Sequence, residues 1–162
     1  MDVQKPKYSV AEFCRLTGIE PMRLRDWRRR GIITGIGYGI GDRWLYSIHD
    51  LMVMSTAQLF RNNGLDIGRA VWSAFICIPF LHQIKGTLPD PTPADTRFIA
   101  IWTQDETDSF QGMCFAPDLA NLEAQLKDRG PVAVAHLIDL HAILQNFPEW
   151  LNTIIRGELV EG

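Results

Sequence analysis

Between Arg15 and Arg30 the chain carries six arginines, Arg15, Arg23, Arg25, Arg28, Arg29 and Arg30, against two acids, Glu20 and Asp26. A guanidinium is a permanent charge with a rigid fork of N–H donors, so it pairs with phosphate oxygens and with the two acceptors on a guanine edge. The net charge of −3 conceals this concentration. Residues 1–70 hold 11 Lys/Arg and 7 Asp/Glu, a balance of +4, whereas residues 71–162 hold 5 and 12, a balance of −7. A basic half followed by an acidic half fits a domain that contacts nucleic acid joined to one that does not. An arginine-rich helix alone is more often a solvated face, so the elements around it decide.

Ser9 is placed to cap a first helix, with Glu12 three residues on completing a capping box and Gly18 ending the helix. Val10, Phe13 and Cys14 share one face of it. Pro21 suits the first position of a second helix, which Gly31 closes. Leu24 and Trp27 form the inward face of that helix and the arginines cover the rest, so Trp27 is expected in the core rather than at a partner. Two short helices around a glycine turn, the second with an inner apolar pair and a basic remainder, make a helix-turn-helix. Residues 32–46 follow, with glycines at 35, 37, 39 and 41 between Ile36, Tyr38 and Ile40, the pattern of a floppy β-hairpin. Ser47 to Asp50 starts a third helix that reaches Asn63-Gly64, and a fourth is expected from Asp66 to about Cys77, before Pro79.

At these residues the chain resembles the MerR family of winged helix-turn-helix transcription regulators. The likeness is carried by Tyr8-Ser9-Val10, Leu16-Thr17-Gly18, Leu24-Arg25 with Trp27, and Gly31-Ile32. It continues through Arg43-Trp44-Leu45-Tyr46-Ser47-Ile48-His49-Asp50-Leu51 and the break at Asn63-Gly64-Leu65-Asp66-Ile67, roughly residues 8–75 in all. It implies a winged helix-turn-helix over residues 1–85 with recognition helix 21–30 in the major groove of double-stranded DNA. It also implies DNA contacts from Arg23, Arg25, Arg28 and Arg29, with Asp26 on the same helix. Arg43 and Tyr46 would hold the backbone at the wing, Tyr46 by its hydroxyl while its ring anchors the hairpin. The helix N-terminus at Ser9 would offer N–H groups to a phosphate. Arg43 is the one base of the wing, so most of the affinity is expected from the second helix.

The second half changes character. Residues 86–96 hold three prolines and read as a linker. Strands are expected over Arg97–Gln104 and Phe110–Ala116, a helix over Pro117–Arg129, a third strand over Val132–Asp139 and a last helix over Leu140–Ile155, bent before Pro148. The fold class is thus mainly α with small β (α+β), ending in a small α/β dimerisation or effector domain over 97–162. Phe98, Trp102, Phe110, Phe115 and Trp150 are read first as its core and second as the lining of a ligand pocket. The stripes Leu119/Leu122/Leu126 and Leu140/Ile143/Leu144 with Phe147 suit dimerisation, and a single helix-turn-helix reads too few base pairs without a second copy. No sustained heptad pattern follows Pro79.

Three widely spaced cysteines, Cys14, Cys77 and Cys114, suit neither a disulfide framework nor a zinc finger. Cys77 with His82, and His136 with His141, are five apart, the wrong helical spacing for shared ligation, so no metal or cofactor is expected. Asp139 near His141 has no nucleophile motif beside it, which argues against an enzyme. No apolar run reaches membrane-spanning length and no signal peptide opens the chain, so a cytoplasmic, nucleoid-associated protein is expected. The reading is a dimeric, sequence-specific DNA-binding regulator, with RNA polymerase among its partners. An excisionase-type or architectural DNA-binding protein is the alternative, and the acidic second half weighs against it. A ligand-sensing regulator with a C-terminal pocket would extend the first reading.

Overall fold

The computed structural model describes residues 4–41, 43–84, 96–103, 112–128 and 134–155. These residues divide into two units, one reaching Ile78 and resuming at Asn146, the other running Pro79–Gln145.

The first unit begins with strand β1 (Tyr8–Ser9), which passes directly into helix α1 (Val10–Thr17). Ser9 and Glu12 form the expected capping box, and Gly18 ends α1 in the left-handed region at φ 70°. Helix α2 (Pro21–Arg29) has Pro at its start and buries Leu24 and Trp27. Strands β2 (Tyr38–Ile40) and β3 (Arg43–Tyr46) make the hairpin. A second capping box, Ser47 with Asp50, opens helix α3 (Ile48–Asn62). The sheet has the order β1-β3-β2, entirely antiparallel, with Tyr8 opposite Tyr46 and Gly39 opposite Trp44. Two residues are too short a run to show a strand in sequence, and β1 was not expected. Helix α3 is buried almost all round, with Leu51, Met52 and Met54 fully enclosed, so it serves as the spine of the unit.

Helix α4 (Ile67–Ile84) runs on through Pro79 instead of stopping before it, and the division between the units falls at that proline. Pro79 has no N–H to give the carbonyl four residues earlier, so the helix loses one internal bond there. The last expected helix is two: α6 (Leu140–Gln145) and α7 (Glu149–Ile155), with Pro148 between them. Helix α7 packs on α3 and belongs to the first unit, so a C-terminal domain over 97–162 does not coincide with the observed division. The linker expected over 86–96 lies outside the described residues except for Thr96, which is buried.

The second unit is a sheet of order β5-β4-β6, with β4 (Phe98–Thr103) central between β5 (Gly112–Ala116) and β6 (Val134–Asp139), all antiparallel. Helix α5 (Leu119–Lys127), capped by Asp118, contributes Leu122 and Leu126 to the cluster of Phe98, Ala100, Trp102, Cys114 and Ala116. On the other face Phe115 stacks on Phe80 with ring centroids 4.9 Å apart. Asp139 ends β6 by accepting from the His141 and Ala142 N–H groups and by pairing with Arg97 at 2.9 Å. That is a strand-to-helix corner, which accounts for Asp139 without catalysis. Phe98 and Trp102 are core residues, the first reading of these rings, and Trp150 falls in the other unit. Phe110 lies outside the described residues. Of the two apolar stripes, Leu119 is exposed while Leu122, Leu140, Ile143 and Phe147 are buried.

Candidate nucleic-acid interface

Helix α2 turns about 100° per residue, which sorts its side chains by sequence position. Leu24 and Trp27 face the core, and the Arg61 guanidinium covers the outer side of the Trp27 ring at 5.3 Å. The opposite face carries Met22, Arg25 and Arg29, all exposed, with Asp26 between them and Arg23 and Arg30 on one flank. Asp26 accepts from Arg29 at 2.8 Å and from Arg30 at 3.4 Å, and these guanidinium groups hold its carboxyl below the usual carboxylate range. Arg23 pairs with Glu20 at 3.6 Å. Arg25 makes no ion pair among the described residues. Exposed pairs of this kind contribute little to stability, so an arriving phosphate can displace them.

Arg28 behaves differently from the rest. It follows Leu24 by four residues, which puts it on the inner flank of α2. Its guanidinium lies 3.8 Å over the Trp44 ring and donates an Nη2 hydrogen bond to the Tyr46 hydroxyl. Tyr46 is fully buried, with its ring stacked on Phe13 at 3.9 Å. Burial pushes the Tyr46 hydroxyl up from its ordinary value, against the opposing effect of Arg28, so it stays a neutral hydroxyl. Burial likewise raises the nearby Cys14 thiol, which keeps it protonated and inert. Arg28 and Tyr46 are therefore brought together, but with each other, as a clamp between α2 and β3. Trp44, which sequence reasoning passed over, is the third member of that clamp.

The glycines of the hairpin answer to the same rings. A Cβ at Gly37, where φ is +80°, would lie 2.8 Å from the Tyr46 ring, and one at Gly39 would lie 3.4 Å from Trp44. What reads in sequence as looseness is clearance for two aromatic rings. The outer face of the hairpin keeps Tyr38 and Ile40 exposed, with Arg43 beside Ile40 across the strands. Arg43 is exposed at the start of β3, as a backbone contact would require.

Ser9 has its hydroxyl and its N–H committed to Glu12: the side-chain oxygen donates at 2.6 Å and the backbone N–H at 2.8 Å to the same carboxylate oxygen. The Glu12 carboxyl is held low chiefly by the Ser9 hydroxyl. A carboxylate thus already occupies the helix N-terminus where a phosphate was expected, and the capping role is the one the geometry gives Ser9. A shallow groove of about 420 Å³ separates α2 from the hairpin, lined by Val10, Pro21, Leu24, Arg25, Arg28 and Trp44 among others. No helix among the described residues is long and apolar enough to cross a membrane.

Comparison with curated proteins gives no match. A family model does match: residues 8–71 fit that of the MerR HTH family regulatory proteins. The matched segment runs from β1 into α4, and so takes in both short helices, the hairpin and α3. Residues 8–71 are therefore similar to the helix-turn-helix region of the MerR HTH family regulatory proteins.

Proposed function

We propose that the protein is a sequence-specific DNA-binding transcription regulator that acts as a dimer, with α2 lying in the major groove. The exposed face of α2 is the observation that carries this reading: Arg23, Arg25 and Arg29 are presented to solvent by a helix whose inner side is locked by Leu24 and Trp27. Arg25 and Arg29 reach bases or phosphates, Arg23 meets a phosphate from the flank, and Arg43 holds the backbone at the wing. Arg28 and Tyr46 act from behind, fixing the hairpin to α2, while Ser9 holds the start of α1. Asp26 keeps Arg29 and Arg30 extended along the helix until DNA arrives. Dimerisation is supported by the small footprint of one helix-turn-helix. Contact with RNA polymerase and residence at the nucleoid follow from the same reading.

Binding titrations on a site selected from randomised duplexes test it. Arg25→Ala is expected to weaken binding at least tenfold and to lower the slope of log affinity against log salt by about one, as for one lost phosphate contact. Unchanged affinity and slope would overturn the placement of α2. Sedimentation of the DNA complex is expected to show two chains per duplex, and one chain per site would overturn the dimer.

A further inference from the structure

Met22 is the one large apolar side chain on the outward face of α2, and it is 80% exposed. Single exposed apolar residues are ordinary on protein surfaces, but the position of this one is not. Arg25, Asp26 and Arg29 lie three, four and seven residues on, so Met22 sits at the head of the stripe they form. It occupies the first turn, directly after Pro21, at the end of a recognition helix that meets base edges. Of the charged side chains near it on the helix, Arg23 is paired with Glu20 and Asp26 with Arg29, while Arg25 makes no ion pair among the described residues. Methionine is unbranched, flexible and polarizable, and it moulds itself to irregular apolar surfaces. In the major groove the apolar feature that marks a base pair is the pyrimidine C5-methyl group.

We propose that Met22 is a specificity-determining residue that packs on a pyrimidine C5-methyl in the major groove, while the arginines around it supply the charge. This rests on the reading of α2 as the recognition helix. Thymine and 5-methylcytosine present the same methyl, so the inference concerns that group and the test separates its two sources. Because the contact is apolar, it changes which sequence is preferred without changing the number of counterions released.

Within the selected site, each thymine in turn is replaced by deoxyuridine, and each cytosine in turn by 5-methylcytosine. Affinities are measured for the wild-type chain and for Met22→Ala. At one thymine per half-site, removal of the methyl is expected to weaken the wild type about fourfold, the worth of one buried methyl, and to leave Met22→Ala unchanged. If the methyl belongs to 5-methylcytosine, the same coupling appears instead as a gain at one cytosine. The salt slope of Met22→Ala is expected to equal that of the wild type. If no position couples to Met22 while Arg25→Ala still loses binding, the inference falls and the placement of α2 stands. If Arg25→Ala also binds as the wild type does, the placement itself fails.

Discussion

The described residues form two three-stranded antiparallel sheets, and each sets a tryptophan of its middle strand directly opposite a glycine of a neighbouring strand. Trp44 faces Gly39 in the first, and Trp102 faces Gly112 in the second. A ring lying over a glycine gains the contact that the glycine cannot make with a side chain of its own. The consequences differ. Trp102 is buried within the cluster of Phe98, Ala100 and Leu122, and a Cβ on Gly112 would come within 2.4 Å of it. Trp44 is half-buried, would meet a Cβ on Gly39 at 3.4 Å, an ordinary contact, and carries Arg28 on its ring. One arrangement closes a core, and the other stiffens a surface without covering it.

Truncating the two rings gives the widest contrast. Trp102→Ala is expected to lower unfolding stability by about 3–5 kcal/mol, as for a buried large aromatic, measured by urea denaturation. Trp44→Ala is expected to lower it by about 1–2 kcal/mol, the share left to a half-exposed ring, while weakening DNA binding more than its stability loss explains. Equal losses of stability with DNA affinity untouched would erase the distinction between the sheets.

Adding a methyl opposite each ring sharpens the contrast. Gly112→Ala forces overpacking and is expected to be destabilising by about 1–3 kcal/mol. Gly39→Ala meets an ordinary contact distance, and its effect is expected to stay within about 0.5 kcal/mol. A thermal melt of each variant decides the matter, and a Gly39→Ala loss as large as that of Gly112→Ala would show the hairpin to be packed as tightly as the core.

The smallest effect concerns acid. Arg97 holds Asp139 low, chiefly through their hydrogen bonds, so the folded state binds this proton less readily than the unfolded chain. Its contribution is therefore present above the unfolded carboxylate value, near pH 4, and is lost as pH falls through the depressed folded value. Arg97 is nearly half exposed, and the amount is expected to be about 1 kcal/mol or less. Asp139→Asn should flatten the acid limb of a stability-versus-pH curve by that much. The Asp26 pair on α2, lowered in the same direction but open to solvent, should move the curve less, and a larger shift with Asp26→Asn would reverse that contrast.

Much of the helical frame was legible because its signals are local. Ser9 with Glu12 and Ser47 with Asp50 are capping boxes readable three residues at a time, and Leu24 with Trp27 marks an inner face at helical spacing. What failed to show depends on partners distant in sequence. Strand β1 exists because Tyr8 and Ser9 meet Tyr46 and Leu45, and nothing in two residues announces that. The glycines at 37 and 39 signalled looseness because the rings they admit lie several residues further on. Arg28 was readable in part, since its spacing from Leu24 puts it on the inner flank. The spacing could not show that Trp44 and Tyr46 would be waiting there.

Helix α7 gives the chain a topology with a practical edge. The Pro79–Gln145 unit is an insertion, because the polypeptide leaves the first unit through α4 and comes back to it at Asn146. Leu151 on α7 is fully buried, and α7 rests on α3, the spine of the first unit. A stop codon or protease nick after α4 would therefore strip a structural helix from the half it seems to spare, so no single cut yields either half intact. Anything that seizes the inserted unit also holds the first unit by two threads of chain, one running through α4 and one leading into α7.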